Sequence, residues 1–95
     1  MSTNEKKENV KRESAVALKY RIGKDSAPRL VAKGKGEVAK KIIEIAQAHK
    51  VPIKFDPQLT EVLSHVQLNE MVPAYLYAVV AEVLAWVYTL EKKAV

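Results

Sequence analysis

An α/β fold is what this chain predicts, and three observations lead there. From Ser14 apolar and polar residues alternate with a period of two, the pattern of a strand half covered on one face. From Gly36 the apolar period lengthens to 3.6, the pattern of an amphipathic helix. Val51 to Phe55 then reads as another strand. Strand, helix and strand in succession make a βαβ unit, which favours parallel pairing and a right-handed crossover. The expected architecture is a small sheet of about three strands, mixed or parallel, packed with three helices.

Each element has its own warrant. Residues 1–13 carry little besides Lys, Glu, Asn and Ser and cannot bury enough surface to offset chain entropy, so a disordered or frayed N-terminal arm is expected there. The domain proper is expected over residues 14–91, with 92–95 as a tail. In the first strand Val16, Leu18 and Tyr20 point one way and Ala15, Ala17 and Lys19 the other. Gly23 to Pro28 is a loop, and Arg29 to Lys33 a second strand ended by Gly34 and Gly36. The helix of about fourteen residues that follows has Val38, Ile42, Ile45 and His49 on one stripe, flanked by Ala39 and Ala46, while Lys40, Lys41, Glu44 and Gln47 face outward. Asp56-Pro57 starts a short helix: Asp caps free N–H groups and Pro at the first position has none to leave unpaired. That helix buries Leu59, Val62, Leu63 and Val66. Pro73 opens the last helix, with Leu76, Val80, Val83, Val87 and Leu90 inward.

Composition narrows the function classes. Ninety-five residues suit one small domain with a thin stability margin. The chain has no cysteine, so disulfides and thiolate metal sites are excluded. No secretory signal is visible, because the N-terminus lacks an apolar run behind its lysines. Val72 to Leu90 is the longest apolar-rich stretch. Glu82, the tyrosines and the opening proline make it a buried or amphipathic helix rather than a span, so a soluble protein is expected. Charge is uneven: residues 1–50 hold 13 Lys/Arg against 6 Asp/Glu, and residues 51–95 hold 3 against 5. A basic half fits an acidic partner, or simply a solvated lysine-rich surface.

No catalytic constellation stands out. Lys33-Gly34-Lys35-Gly36 precedes a helix, as anion-binding loops do, but lacks the spacing and the Gly-Lys-Ser/Thr ending of a nucleotide loop. It reads as a flexible strand-to-helix turn. His49 and His65 are sixteen residues apart, and neither is followed four residues later by a carboxylate, so no metal site and no cofactor are expected. Trp86, Tyr88, Tyr75 and Tyr77 read as core or its rim. No Ser/His/Asp or Cys/His set has a recognisable context, and an enzyme is not expected.

Four blocks, taken in order, carry a family resemblance. They are Ala15-Val16-Ala17-Leu18-Lys19-Tyr20, Ala27-Pro28-Arg29-Leu30-Val31-Ala32-Lys33-Gly34, Val51-Pro52-Ile53, and Val80-Ala81-Glu82-Val83-Leu84-Ala85-Trp86-Val87-Tyr88. In order and spacing they resemble the cytoplasmic C-terminal domain of the FlhB family of flagellar and type III secretion export proteins, over residues 15–90. That family cuts its own backbone at Asn-Pro-Thr-His just upstream of the first block. Here Val10-Lys11-Arg12-Glu13 stands in that place, and no Asn-Pro occurs anywhere in the chain. The chain therefore looks like the post-cleavage half of such a protein standing alone, without the nucleophile or the leaving residue of self-cleavage.

The resemblance implies a function and a location. It implies a non-enzymatic binding module that docks export substrates or substitutes for the C-terminal domain of FlhB. The docking patch it implies falls on Ala27, Pro28, Ala81 and Leu84. In the family a strand ahead of the cleavage motif pairs with the sheet. Without it the edge formed by Ala15, Val16, Ala17, Leu18, Lys19 and Tyr20 is open to a strand from another protein, or covered by residues 1–13. Implied partners are export substrates, export-gate membrane proteins and the N-terminal part of FlhB, at the cytoplasmic face of the membrane. The alternative reading is a small basic nucleic-acid-binding protein. Its charge favours that, but its lack of a recognised motif and of aromatics in the basic half does not.

Overall fold

Two antiparallel strands separate two helical layers. The computed structural model describes residues 13–94, so the arm expected over residues 1–13 lies almost wholly outside the described residues. β1 (Ser14–Lys19) and β2 (Arg29–Lys35) pair from Ser14 opposite Lys35 to Lys19 opposite Arg29. Ala17 faces Ala32 while Leu18 faces Leu30, so Val31 is an extra residue, a bulge in β2. Gly34 lies within β2 rather than ending it.

The two faces of this ribbon differ in side-chain size. Val16 and Leu18 pack against the core of Leu30, Leu63, Val66, Val72, Leu76 and Val80. By alternation Ala15, Ala17, Ala32 and Gly34 occupy the other face. Helix α1 (Glu37–Ala48) packs there against both strands. The approach is close: a Cβ on Gly34 would stand 2.1 Å from Cγ1 of Val38. Ala39 is fully buried, whereas Val38 and Ile45 are 54% and 55% exposed. The stripe expected inward, Val38, Ile42, Ile45 and His49, is thus a flank of the helix. A sheet surfaced with alanine and glycine accepts the helix by its small side chains, while apolar periodicity gives most weight to large ones.

Helix α1 ends in a Schellman turn. The Val51 N–H donates to the carbonyl of Ala46 at 2.8 Å and that of Lys50 to Gln47 at 3.1 Å, with Lys50 left-handed at φ 59°. Beyond it comes the main correction to the expected fold. Val51–Phe55 is exposed and forms no strand, so among the described residues the sheet has two strands, paired antiparallel, and the expected third strand, parallel pairing and βαβ unit are not formed. A strand needs a neighbour. The outer edge of β2 is partly taken by residues 69–72, which bond to Pro28 and Leu30, and no backbone hydrogen bond links residues 52–55 to β1.

Helix α2 (Pro57–Leu63) starts as its sequence requires. Asp56 Oδ1 accepts from the Leu59 N–H at 3.1 Å and Pro57 occupies the first turn. Its C-terminal end is held by Lys33, whose ammonium donates to the carbonyls of Ser64 at 3.0 Å and Val66 at 2.9 Å. Pro73 leads into a single 3₁₀ turn, Ala74–Leu76, before helix α3 (Tyr77–Ala94), which continues into the segment expected as a tail. Leu76 and Val80 are buried as expected, but Tyr77, Val79, Tyr88 and Leu90 are exposed. By length and composition alone the stretch Ala74–Lys92 is sufficient to cross a membrane, with mean hydropathy 1.3 and 11% of it buried.

Candidate functional site

The loop between the strands shapes one wall of a surface hollow. Its turn is fixed by Asp25, which accepts from the Arg21 backbone N–H at 2.8 Å and pairs with the Arg21 guanidinium at 3.0 Å. The Arg21 side chain is the main cause that holds the Asp25 carboxyl below the usual carboxylate range, with the Arg21 N–H adding to it. The same pair raises the pKa of Arg21. Beyond the turn the chain is anchored: the Pro28 carbonyl accepts from the Val72 N–H at 2.8 Å, and the Ser26 hydroxyl lies 3.4 Å from the Met71 sulfur. Ala27 and Pro28 are buried as a result.

Helix α3 supplies the opposite wall. Tyr77, Val80, Ala81 and Leu84 stand at positions i, i+3, i+4 and i+7 of the helix and so share a face. Together with Tyr20, Ser26, Ala27 and Pro28 they line a hollow of about 160 Å³. A volume of this order holds a benzene-sized group, that is, one large apolar side chain. Val80, which is 1% exposed, forms its floor and belongs also to the core, so the hollow sits on rigid packing. Ala27, Pro28, Ala81 and Leu84, singled out by the resemblance, are brought together here from segments some fifty residues apart. Ser26 and Tyr77 were not anticipated. The signal for Tyr77 is its place four residues before Ala81; nothing local marks Ser26.

Other candidates fall elsewhere. Ala15 to Lys19 form β1, whose second edge carries no strand among the described residues, and Tyr20 leaves that line to join the hollow. Lys33 and Lys35 belong to β2 and the Lys33 ammonium is engaged at α2, so this stretch is a strand and turn. His65 lies 3.9 Å from Glu61, a neighbour four residues earlier that the sequence reading passed over, and both are exposed. The described residues contain no cluster of three or more His, Cys, Asp or Glu arranged to hold a metal. Lys54 sits 5.4 Å over the Trp86 ring, and Tyr75 is 80% exposed rather than core.

A two-stranded ribbon between two helical layers is a fold already represented among solved structures. The fold matches the cytoplasmic domain of FlhB from Shewanella putrefaciens with a TM-score of 0.80 and 35% identity, covering 85% of this chain and 67% of that one. It matches the PscU C-terminal domain with a TM-score of 0.74 and 27% identity, covering 78% and 95%. The model of the FlhB, HrpN, YscU and SpaS family matches residues 12–87, and the chain belongs to that family. It is 48% identical over 79 residues to the flagellar biosynthetic protein FlhB of Yersinia enterocolitica, spanning about a fifth (21%) of that protein's length. To the uncharacterized protein YlqH of Bacillus subtilis it is 42% identical over 86 residues, covering 90% of this chain and 92% of that protein.

Proposed function

We propose that this chain is a non-enzymatic binding module of flagellar or type III protein export, with residues 14–91 as its working domain. It docks export substrates at the hollow, or substitutes there for the C-terminal domain of FlhB. The observation that carries this reading is the convergence of Ala27, Pro28, Ala81 and Leu84 on one apolar hollow. The mechanism is recognition without a covalent step. A short extended peptide lays one apolar side chain against Val80 and Leu84, and Tyr20 and Tyr77 close the rim. Self-cleavage by the family route has no counterpart, since the chain lacks an Asn-Pro bond. The working location is the cytoplasmic face of the membrane beside the export gate. The edge of β1, Ala15 to Lys19, offers a second contact to FlhB or another partner.

An amide NMR titration with segments of early export substrates tests this, with duplex DNA as the control. Shifts gathered at Ala27, Arg29, Ala81 and Leu84 that survive moderate salt are expected. Shifts with DNA alone, spread over Lys33 to Lys41 and lost in salt, would replace this reading with nucleic-acid binding.

A further inference from the structure

The loop that shapes the hollow is fastened to residues 69–72 by backbone bonds and by one thioether. The Val72 N–H donates to the Pro28 carbonyl at 2.8 Å and the Leu30 N–H to that of Glu70 at 3.0 Å, with Met71 bridged to Arg29 between them. The Ser26 hydroxyl donates to the Met71 sulfur at 3.4 Å. Ser26 in turn lines the hollow beside Ala27 and Pro28. The backbone bonds do not depend on the chemistry of the Met71 side chain. The sulfur contact does, and it rests on a group that oxidants alter.

Met71 is open to attack, being 46% exposed. The chain has two methionines, and the other is Met1. Hydrogen peroxide transfers one oxygen to a thioether: an S–O bond forms, the O–O bond breaks, sulfur is oxidised and water leaves as the reduced product. A flexible apolar side chain becomes polar and chiral at sulfur. Either epimer undoes the contact with Ser26. An oxygen turned toward Ser26 does not fit, because an O–H···O bond alone takes about 2.7 Å and the S–O bond must be added to it within a gap of 3.4 Å. An oxygen turned away draws electron density from the sulfur and leaves it a poorer acceptor.

We infer that Met71 is an oxidative modification site that regulates docking at the hollow: its thioether, taken to the sulfoxide by a peroxide, releases Ser26 and weakens the grip on an apolar side chain. The inference rests on the reading of the hollow as a docking site and adds its control. Oxidation acts on one wall only. The segment from Ser26 to Pro28 loses a side-chain support and gains a polar oxygen at its back. Val80 stays buried in the core on the opposite wall, with Leu84 packed against it. The control is reversible, because methionine sulfoxide is returned to the thioether by dedicated reductases.

The test treats the full 95-residue chain with dilute hydrogen peroxide and reads it by peptide mass spectrometry, amide NMR and titration with an early export-substrate segment. Addition of one oxygen at Met71 should move the Ser26 and Ala27 amides. It should weaken binding by about threefold or more, the scale of one neutral hydrogen bond. Methionine sulfoxide reductases should restore both readouts. Met71→Leu, a swap of similar volume that keeps Met1, should make binding indifferent to peroxide. Resistance of Met71 to peroxide, or oxidation that leaves the Ser26 and Ala27 amides or the affinity unchanged, would overturn the inference. So would an equal loss of affinity in peroxide-treated Met71→Leu, which would trace the effect to another residue. A segment that binds neither form would sink the docking reading and the control with it; one that binds both forms alike would sink the control alone.

Discussion

Lys50 occupies a backbone conformation that suits glycine, and it does so to end α1. At φ 59° it closes the Schellman turn that satisfies the carbonyls of Ala46 and Gln47. A β-carbon in this region costs about 1 kcal/mol, partly offset in glycine by its freer unfolded chain. Lys50→Gly should therefore stabilise the protein by roughly 0.5 kcal/mol, read as a rise of a few degrees in Tm. Asp25 makes a second prediction, in pH. Its pKa is lowered in the folded chain by the Arg21 side chain and N–H. The order it gives the loop is complete above the ordinary carboxylate pKa and is lost as pH falls through the depressed value. Carboxyl NMR should show Asp25 titrating below the ordinary aspartate range, and Arg21→Ala should return it toward that range. The Arg21 guanidinium is exposed to solvent and the pair lies within a surface loop, so global stability should change little. Neither feature was legible in the sequence, because both depend on the dihedrals of single residues in turns.

Gly34 shows what was legible at the level of elements, and what was not. The sequence marks it as punctuation after β2, yet it lies inside the strand as the floor on which Val38 rests. Gly34→Ala must push α1 off the ribbon and should cost about 1–3 kcal/mol by overpacking, measured by urea denaturation. The start of α2 was fully readable, since Asp56 and Pro57 act through neighbours two or three residues away. The two strands were readable for the same reason, as alternation is local. The third strand was misread because Val51–Phe55 has the residues of a strand while pairing depends on what lies beside it. Helix α1 was correctly placed but turned toward the wrong stripe. Its orientation is set by Ala15, Ala17, Ala32 and Gly34 on the ribbon, which no pattern within the helix records.

Across the whole molecule, the hollow depends on elements that meet only in the folded chain. The β1–β2 loop and α3 are joined through the core residues Leu30, Leu76 and Val80, so the walls are held by packing rather than by a hinge. The pairing of Ala27 and Pro28 with Ala81 and Leu84 was available from the sequence only through family resemblance; periodicity could show no more than that the last two share a face. The basic half of the chain forms the ribbon and α1, and the acidic half forms α2 and α3. The hollow lies at their junction and is lined by uncharged side chains, so its binding should respond weakly to salt. Isothermal titration of the full chain and its Ala81→Asp variant with an early export-substrate segment, at low and moderate salt, tests the central claim most directly. The account predicts binding that is nearly independent of salt and at least tenfold weaker in the variant, with the fold unchanged by circular dichroism. Binding that collapses in salt and ignores Ala81→Asp would contradict it.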